Sequence, residues 1–143
     1  MRTYELIDHT ADVGVKAYGK NLAEAFENAA KGMFDIITDN SEIESVGQYK
    51  INLNATNMEQ LLNDWLSELL YLHSADNLVF GFFKIDLDEK KSKLTANVCG
   101  EKFDLSKHKI GAEIKAVTYH ECGIKDKLIE AQKIYFAKVT FDL

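Results

Sequence analysis

The sequence predicts an α+β protein, a two-layer sandwich in which two helices pack on one face of a mixed, mostly antiparallel sheet. Two segments repeat apolar residues at helical spacing, and most other segments alternate as strands do. The order is strand-strand-helix-strand-helix followed by several strands, and closely spaced consecutive strands favour antiparallel pairing. Without proline, internal repeats or low-complexity sequence, residues 1–143 read as one domain.

The chain begins with two predicted strands, Tyr4–Asp8 and Asp12–Gly19. The second strand has small aliphatic residues at odd positions and other residues at even positions. Asp12 therefore faces away from the aliphatic side. The odd positions carry Val13, Val15 and Ala17, and the even positions carry Gly14, Lys16 and Tyr18.

Two helices follow, each introduced by a capping-box pattern. Asn21 is the predicted N-cap of the first, with Glu24 three residues later, and Thr56 and Glu59 have the same spacing in the second. Each helix carries an apolar stripe that is typical of packing against a sheet. The stripes are Leu22, Ala25, Phe26, Ala29, Met33, Ile36 and Ile37, and then Met58, Leu61, Leu62, Trp65, Leu66, Leu69 and Leu72.

The rest of the chain reads as strands joined by polar connections. The segment "DEKKSK" is a predicted hairpin turn, and "GEKFDLSKHKIG" is either a longer connection or a short edge pair. The predicted strands are Tyr49–Ala55, Leu78–Leu87, Lys93–Cys99, Glu113–Thr118, Cys122–Glu130 and Ile134–Leu143.

Composition argues against several classes of protein. Seventeen basic and 23 acidic residues give a net charge of −6, and Arg2 is the only arginine, so strong direct binding of nucleic acid is not expected. No apolar run approaches the roughly 20 residues that cross a bilayer, and the segment "MRTYELIDHT" contains no hydrophobic region of the signal-peptide type. We expect a cytoplasmic protein without membrane contact, in which Cys99 and Cys122 are free thiols, although one disulfide remains an alternative.

The two ends of the sequence carry the candidate chemistry. Asp12 follows His9 and Thr10, where an aspartate commonly closes an Asx-turn. The last predicted strand ends in Asp142 and Leu143, and the Leu143 side chain could anchor the terminal α-carboxylate. If Asp12 lies close to that end, three negative charges share one site and must protonate or recruit a cation such as Ca²⁺, Mg²⁺ or Mn²⁺. A solvated, metal-free end is the alternative.

The segment "KAVTYH" is the third candidate feature. Lys115 and His120 bracket a predicted strand and could bind a phosphate and carry a proton, although such residues are more often a surface lysine and a structural histidine. The sequence has no GxxxxGK[ST], GxGxxG, GxSxG or HExxH motif. Nothing in it therefore resembles a nucleotide cradle or an activated nucleophile.

Taken together, these segments resemble the archease family over essentially the whole chain. "HTADVG" and "KAVTYH" are the most specific of the matching segments. The chain departs from the family pattern at two places: Glu121 and Cys122 stand where an apolar residue is commoner, and the end reads Phe-Asp-Leu where Val-Asp-Ile is the commoner type. The matching stretches are "DHTADVG", "AYG", "LAEAFENAAKGMF", "LLNDWLSELLY", "KAVTYH" and the final Asp-Leu.

The resemblance implies an accessory protein, not an enzyme. Archeases assist the RtcB-type tRNA-splicing RNA ligase by promoting its guanylylation and multiple turnover, and they can broaden its nucleotide use. The family binds a divalent cation, assigned as calcium, near an acidic tip. By position its ligands here would be Asp12, Asp142 and the main-chain or terminal oxygens of Leu143. The same segments make Asp8, His9, Lys115 and His120 candidates for contact with the ligase.

Two other functions remain open from the sequence. A free-standing metal-dependent phosphoester hydrolase could use Asp12, His9 and His120. A general chaperone or modulator of tRNA-processing enzymes would instead act on many clients. The hydrolase would turn over a phosphoester without any ligase, and the chaperone would suppress the aggregation of several proteins.

Overall fold

A computed structural model describes residues 3–8, 12–39 and 42–143, excluding the side chains of Asp8 and of residues 119–121. The described residues form two α-helices and seven β-strands, and the predicted α+β class is confirmed. The strands are β1 (Tyr4–Asp8), β2 (Asp12–Gly19), β3 (Gly47–Asn54), β4 (Leu78–Asp88), β5 (Lys93–Lys102), β6 (Ala116–Ile129) and β7 (Gln132–Asp142); the helices are α1 (Leu22–Ile37) and α2 (Met58–Asp76).

The strands form two antiparallel sheets where the sequence predicted a single one. One sheet has the order β1-β2-β7-β6 and the other β3-β5-β4. Hairpins join β1 to β2, β4 to β5 and β6 to β7, as expected for closely spaced strands. Two pairings, β2 with β7 and β3 with β5, join strands that are distant in sequence. Alternation identifies a strand but not its neighbour, and for that reason the division into two sheets was missed.

The helices begin where polar caps satisfy their first N–H groups. The Asn21 side chain accepts from the Glu24 N–H at 2.8 Å, as predicted for α1. The predicted start of α2 was wrong by one residue, because Asn57 is the N-cap and accepts from the Gln60 N–H at 2.8 Å. The Gln60 side chain in turn accepts from the Thr56 hydroxyl and N–H, so Thr56 stabilises the same turn from outside the helix.

Both helices contact strands of both sheets, and the core lies between these layers. Trp65 is fully buried and donates from Nε1 to the Phe26 carbonyl at 3.1 Å, which joins α2 to α1 at the centre. Phe34 meets Phe80 edge to face with ring centroids 5.7 Å apart. This core holds β2 and β7 in place, because Val13, Val15 and Ala17 on β2 and Ala137, Val139 and Phe141 on β7 are all buried.

The last third of the chain departs most from its predicted elements. Glu113–Thr118 and Cys122–Glu130 were predicted as two strands, but β6 is a single strand whose register shifts between Thr118 and Gly123. A bulge adds residues to one strand of a pair. Because the residues between Thr118 and Gly123 are mostly polar and break the alternation, the sequence predicted a loop there. The first three residues of "GEKFDLSKHKIG" complete β5, and the rest of the segment is a long connection that follows Lys102.

Candidate metal centre

Two aspartates face each other at one end of the four-stranded sheet. Asp12 is the first residue of β2 and Asp142 the last of β7, and the antiparallel register pairs them directly. Directly opposite residues in an antiparallel pair project from the same face, with Cβ atoms about 4.5–5.5 Å apart. The two carboxylates therefore share one face, although 129 residues separate them in the chain. Like charges in this arrangement destabilise the pair unless something offsets them.

One oxygen of Asp12 is buried without a partner. Asp12 is half-buried, and its Oδ1 has no hydrogen-bond partner among the described residues. A buried ionised oxygen that makes no hydrogen bond loses its hydration without compensation. The Asx-turn that the sequence allowed for Asp12 does not satisfy this atom. The oxygen is left available to a ligand that the described residues do not supply.

The end of β7 is held by its main chain and not by the Leu143 side chain. Leu143 follows β7 and is 41% exposed, so the expected side-chain anchor was wrong. Instead β7 is flanked by β2 and β6, and the Lys115 N–H donates to the Asp142 carbonyl at 2.8 Å. The pairing of β2 with β7 ends at Asp142, so Leu143 lies beyond the last pair. Its side chain does not extend the buried row formed by Val139 and Phe141.

Lys115 is the one partner-facing candidate whose side chain is described. It is exposed and directly precedes β6, where Ala116 pairs with Asp142. A concavity of about 330 Å³ adjoins it, and its wall includes Tyr71, which is 63% exposed on α2. Asp8 ends β1 opposite Val13, but its side chain lies outside the described residues, as do His9 and the His120 side chain.

The donor atoms at this end suit a hard divalent cation. Carboxylate and main-chain oxygens are preferred by Ca²⁺, Mg²⁺ and Mn²⁺. Asp12 and Asp142 supply oxygens on one face, and the unpartnered Asp12 Oδ1 fits a missing positive charge. No three His, Cys, Asp or Glu side chains converge among those the structure describes. A cation here would therefore need main-chain oxygens, such as those of Leu143, in addition to the two carboxylates.

A second acidic site was not predicted from the sequence. Glu101 on β5 accepts from the Lys107 ammonium at 2.8 Å, from the Glu44 N–H at 2.8 Å and from His108 at 3.0 Å. The His108 Nδ1 accepts from the Asp104 N–H at 2.9 Å, so the ring proton is on Nε2 and points to Glu101. Desolvation raises the Glu101 pKa, but these hydrogen bonds outweigh it and lower the pKa to about 2.

His108 is the buried member of this network, and the sequence analysis assigned it no role. It is 3% exposed in a segment that otherwise reads as a polar connection, and it stacks on Phe103 with centroids 5.5 Å apart. The pattern "GEKFDLSKHKIG" places an acid, an aromatic, a lysine and a histidine within a few residues. Nothing in their spacing marks them as partners, because the loop and not a regular element brings them together.

The fold and the site define a small α+β protein with two opposed carboxylates at the end of an antiparallel sheet. No helix in residues 3–8, 12–39 or 42–143 is both long and apolar enough to cross a membrane. The sequence profile of the archease protein family matches residues 4–143. The chain belongs to this family.

Individual relatives match over nearly the whole chain. A protein of Sulfurisphaera tokodaii named "Protein archease" is 40% identical to this chain over 127 residues, which cover 89% of this chain and 91% of the relative. One in Methanosarcina barkeri is 44% identical over 126 residues, covering 86% of each. The solution structure of protein 1598 of Methanobacterium thermoautotrophicum matches with a TM-score of 0.83 at 38% identity over all of both chains.

Proposed function

We propose that this protein is a non-catalytic activator of an RtcB-type RNA ligase. It would promote guanylylation and multiple turnover of the ligase and broaden its nucleotide use. The proposal is supported by membership of the archease family and by what the family resemblance implies. It also agrees with a sequence that lacks a nucleotide-binding loop and carries a net charge of −6. The site of action would be in the cytoplasm.

The observation that carries the proposal is the pairing of Asp12 with Asp142 around an unsatisfied buried oxygen. We assign a divalent cation to this end, calcium by family resemblance and Mg²⁺ or Mn²⁺ by donor chemistry. Asp12, Asp142 and the main-chain oxygens of Leu143 would hold it. When bound, the cation would supply positive charge to neighbouring phosphate or carboxylate oxygens.

The chain's own contribution is to present that end as a rigid edge. Val13 and Phe141 are buried beside the two aspartates, so both carboxylates are fixed to core-packed strands. Phosphoryl transfer depends mainly on positioning and charge neutralisation, and an accessory protein can supply both. Lys115 would contact a phosphate or an acidic residue of the ligase, and Asp8, His9 and His120 would complete the facing surface.

The test is guanylylation of a purified RtcB-type ligase. The ligase is incubated with GTP and Mn²⁺, and the covalent guanylate adduct is followed with substoichiometric amounts of this protein. We expect wild type to accelerate adduct formation and to allow repeated RNA joining. Asp12→Asn and Asp142→Asn should each lower the stimulation at least tenfold, since each removes charge from the same face.

The matched control is Asp126→Asn, an exposed carboxylate on β6 of the same sheet that pairs with Lys133 at 3.6 Å. It should stimulate the ligase like wild type, since an exposed ion pair contributes little to stability. Normal stimulation by folded Asp12→Asn and Asp142→Asn would contradict the proposal. Phosphoester turnover without ligase, or suppression of aggregation for unrelated proteins, would support the hydrolase or chaperone instead.

A further inference from the structure

A second unpartnered polar side chain lies next to Asp12 and Asp142. Thr140 on β7 is 0% exposed, and its Oγ1 has no hydrogen-bond partner among the described residues. A buried hydroxyl without a partner has lost its hydrogen bonds to water and gained none in return, which destabilises the fold. Replacement by valine would remove that cost while keeping the shape and the strand preference of the side chain. The hydroxyl therefore needs an explanation.

The sheet register places this hydroxyl on the same face as the two aspartates. Asp142 and Thr140 are two residues apart on β7 and so project together. Directly across β2, Thr140 faces Gly14, which has no side chain, and Asp12 is its diagonal neighbour. Gly14 therefore places no side chain of its own between Thr140 and Asp12, and the Ile7 side chain of β1 covers it, since a Cβ at Gly14 would lie 3.3 Å from the Ile7 Cβ. On the other side, β6 places Thr118 opposite Thr140.

The spacing suits a shared ion. Directly opposite residues have Cβ atoms about 4.5–5.5 Å apart and diagonal ones about 7–8 Å, before the side chains extend towards each other. A Ca²⁺ ion binds oxygens at about 2.3–2.6 Å, so it can bridge oxygens up to about 5 Å apart. Threonine hydroxyls also bind Mg²⁺ in phosphate-binding loops. Asp12 Oδ1 and Thr140 Oγ1 lie on one face of the sheet, and both are buried oxygens without a partner among the described residues, so one ion could bind both.

We propose that the Thr140 hydroxyl is a further oxygen donor of the cation site formed by Asp12 and Asp142. This inference rests on the proposed cation site and adds a neutral donor to it. A neutral oxygen fills a coordination position without adding to the repulsion between the two carboxylates. The ion in turn satisfies a hydroxyl that the described residues leave unpaired.

The experiment measures cation affinity without any ligase. CaCl₂, and separately MnCl₂, is titrated into the full chain by calorimetry, and the thermal midpoint is recorded with and without the ion. Thr140→Val should weaken binding about fivefold to tenfold, whereas Thr140→Ser should remain within about twofold of wild type. Thr95→Val, an exposed threonine of β5 in the other sheet, is the matched control and should bind like wild type.

Without the ion, Thr140→Val should melt at the wild-type temperature or above it, because it removes an unsatisfied hydroxyl. A purely structural role would instead lower the ion-free midpoint and leave the affinity unchanged. Should the valine variant unfold, Thr140→Ala deletes the same hydroxyl with a smaller side chain. Wild-type affinity in the folded hydroxyl-deleted variant overturns the inference and leaves the cation site standing. Absence of wild-type binding, or binding that Asp12→Asn does not weaken, overturns both.

Discussion

Carboxylates at two places in this molecule have opposite surroundings. Glu101 accepts hydrogen bonds from Lys107, His108 and the Glu44 main chain, and all of these donors belong to the chain itself. Asp12 faces another carboxylate across the sheet and has one buried oxygen that finds no partner in the described part of the chain. The Glu101 network ties a long connection to β5 and is complete within the fold. The Asp12 end has no such complete set of partners among the described residues.

The difference separates structural acids from functional ones. Partners inside the chain make the charged form of Glu101 part of the folded state and lower its pKa to about 2. The buried Oδ1 of Asp12 accepts no hydrogen bond from the described residues, so their packing gives no reason for a carboxylate there. A carboxylate that the fold does not need is a candidate for function, and the cation proposal gives it that role.

Removal of Glu101 should have the largest effect on stability. Glu101→Ala leaves the buried His108 Nε2–H without an acceptor and removes the partner of the Lys107 ammonium. We expect the free energy of unfolding to fall by about 2–3 kcal/mol, measured by urea denaturation. Glu89→Ala, in the exposed β4–β5 turn, is the control and should change it by less than about 0.5 kcal/mol. Equal effects of the two variants would show that the network contributes nothing.

Acid should remove the contribution of Glu101 over a defined range of pH. The folded pKa of about 2 lies below the ordinary 4.5, so the unfolded chain takes up this proton first. The stabilisation is fully present above about pH 4.5 and is lost as the pH falls towards 2. In an NMR titration, the Glu101 carboxyl should remain ionised at pH 3.5. A titration midpoint near 4.5 would mean that the hydrogen bonds of the network do not favour the ionised form.

Asp12 should behave in the opposite way and with a smaller effect. In EDTA, Asp12→Asn should leave the free energy of unfolding unchanged or raise it by up to about 1 kcal/mol, because it relieves the repulsion with Asp142. Urea denaturation in EDTA and again in calcium measures this, and calcium should stabilise wild type but not the variant. If Asp12→Asn lost as much stability in EDTA as Glu101→Ala, Asp12 would be a structural acid and the comparison would fail.

Local patterns predicted the elements well where packing follows simple periodicity. The bounds of β1 and β2 agree with the alternation of apolar residues, and the Asn21 cap was predicted from its capping box. The α2 cap was shifted because Thr56 and Asn57 are both good N-caps, and only the contact with Gln60 decides between them. The β6 strand was divided in two because its irregular register interrupts the pattern of period two.

The candidate site needed information that no local pattern holds. Charge repulsion predicted that Asp12, Asp142 and the terminal carboxylate, if they lay close together, would either protonate in part or recruit a cation. That they lie side by side follows from the pairing of β2 with β7, which are separated by most of the chain. The Glu101 network joins β5 to the loop that follows it, and no period links Glu101 to His108. The unpartnered atoms of Asp12 and Thr140 are apparent only once burial is known.

Paramagnetic broadening by Mn²⁺ tests the central claim most directly, because it locates the ion in the folded protein. In ¹⁵N-labelled wild type, substoichiometric Mn²⁺ should first broaden the amide signals of residues 12–13, 116 and 141–143. The amides around Glu101 and around the Asp88 turn should remain sharp, and Asp12→Asn should abolish the selective broadening. Broadening centred on another acidic surface, or uniform across the chain, would contradict the assignment of the cation to Asp12 and Asp142.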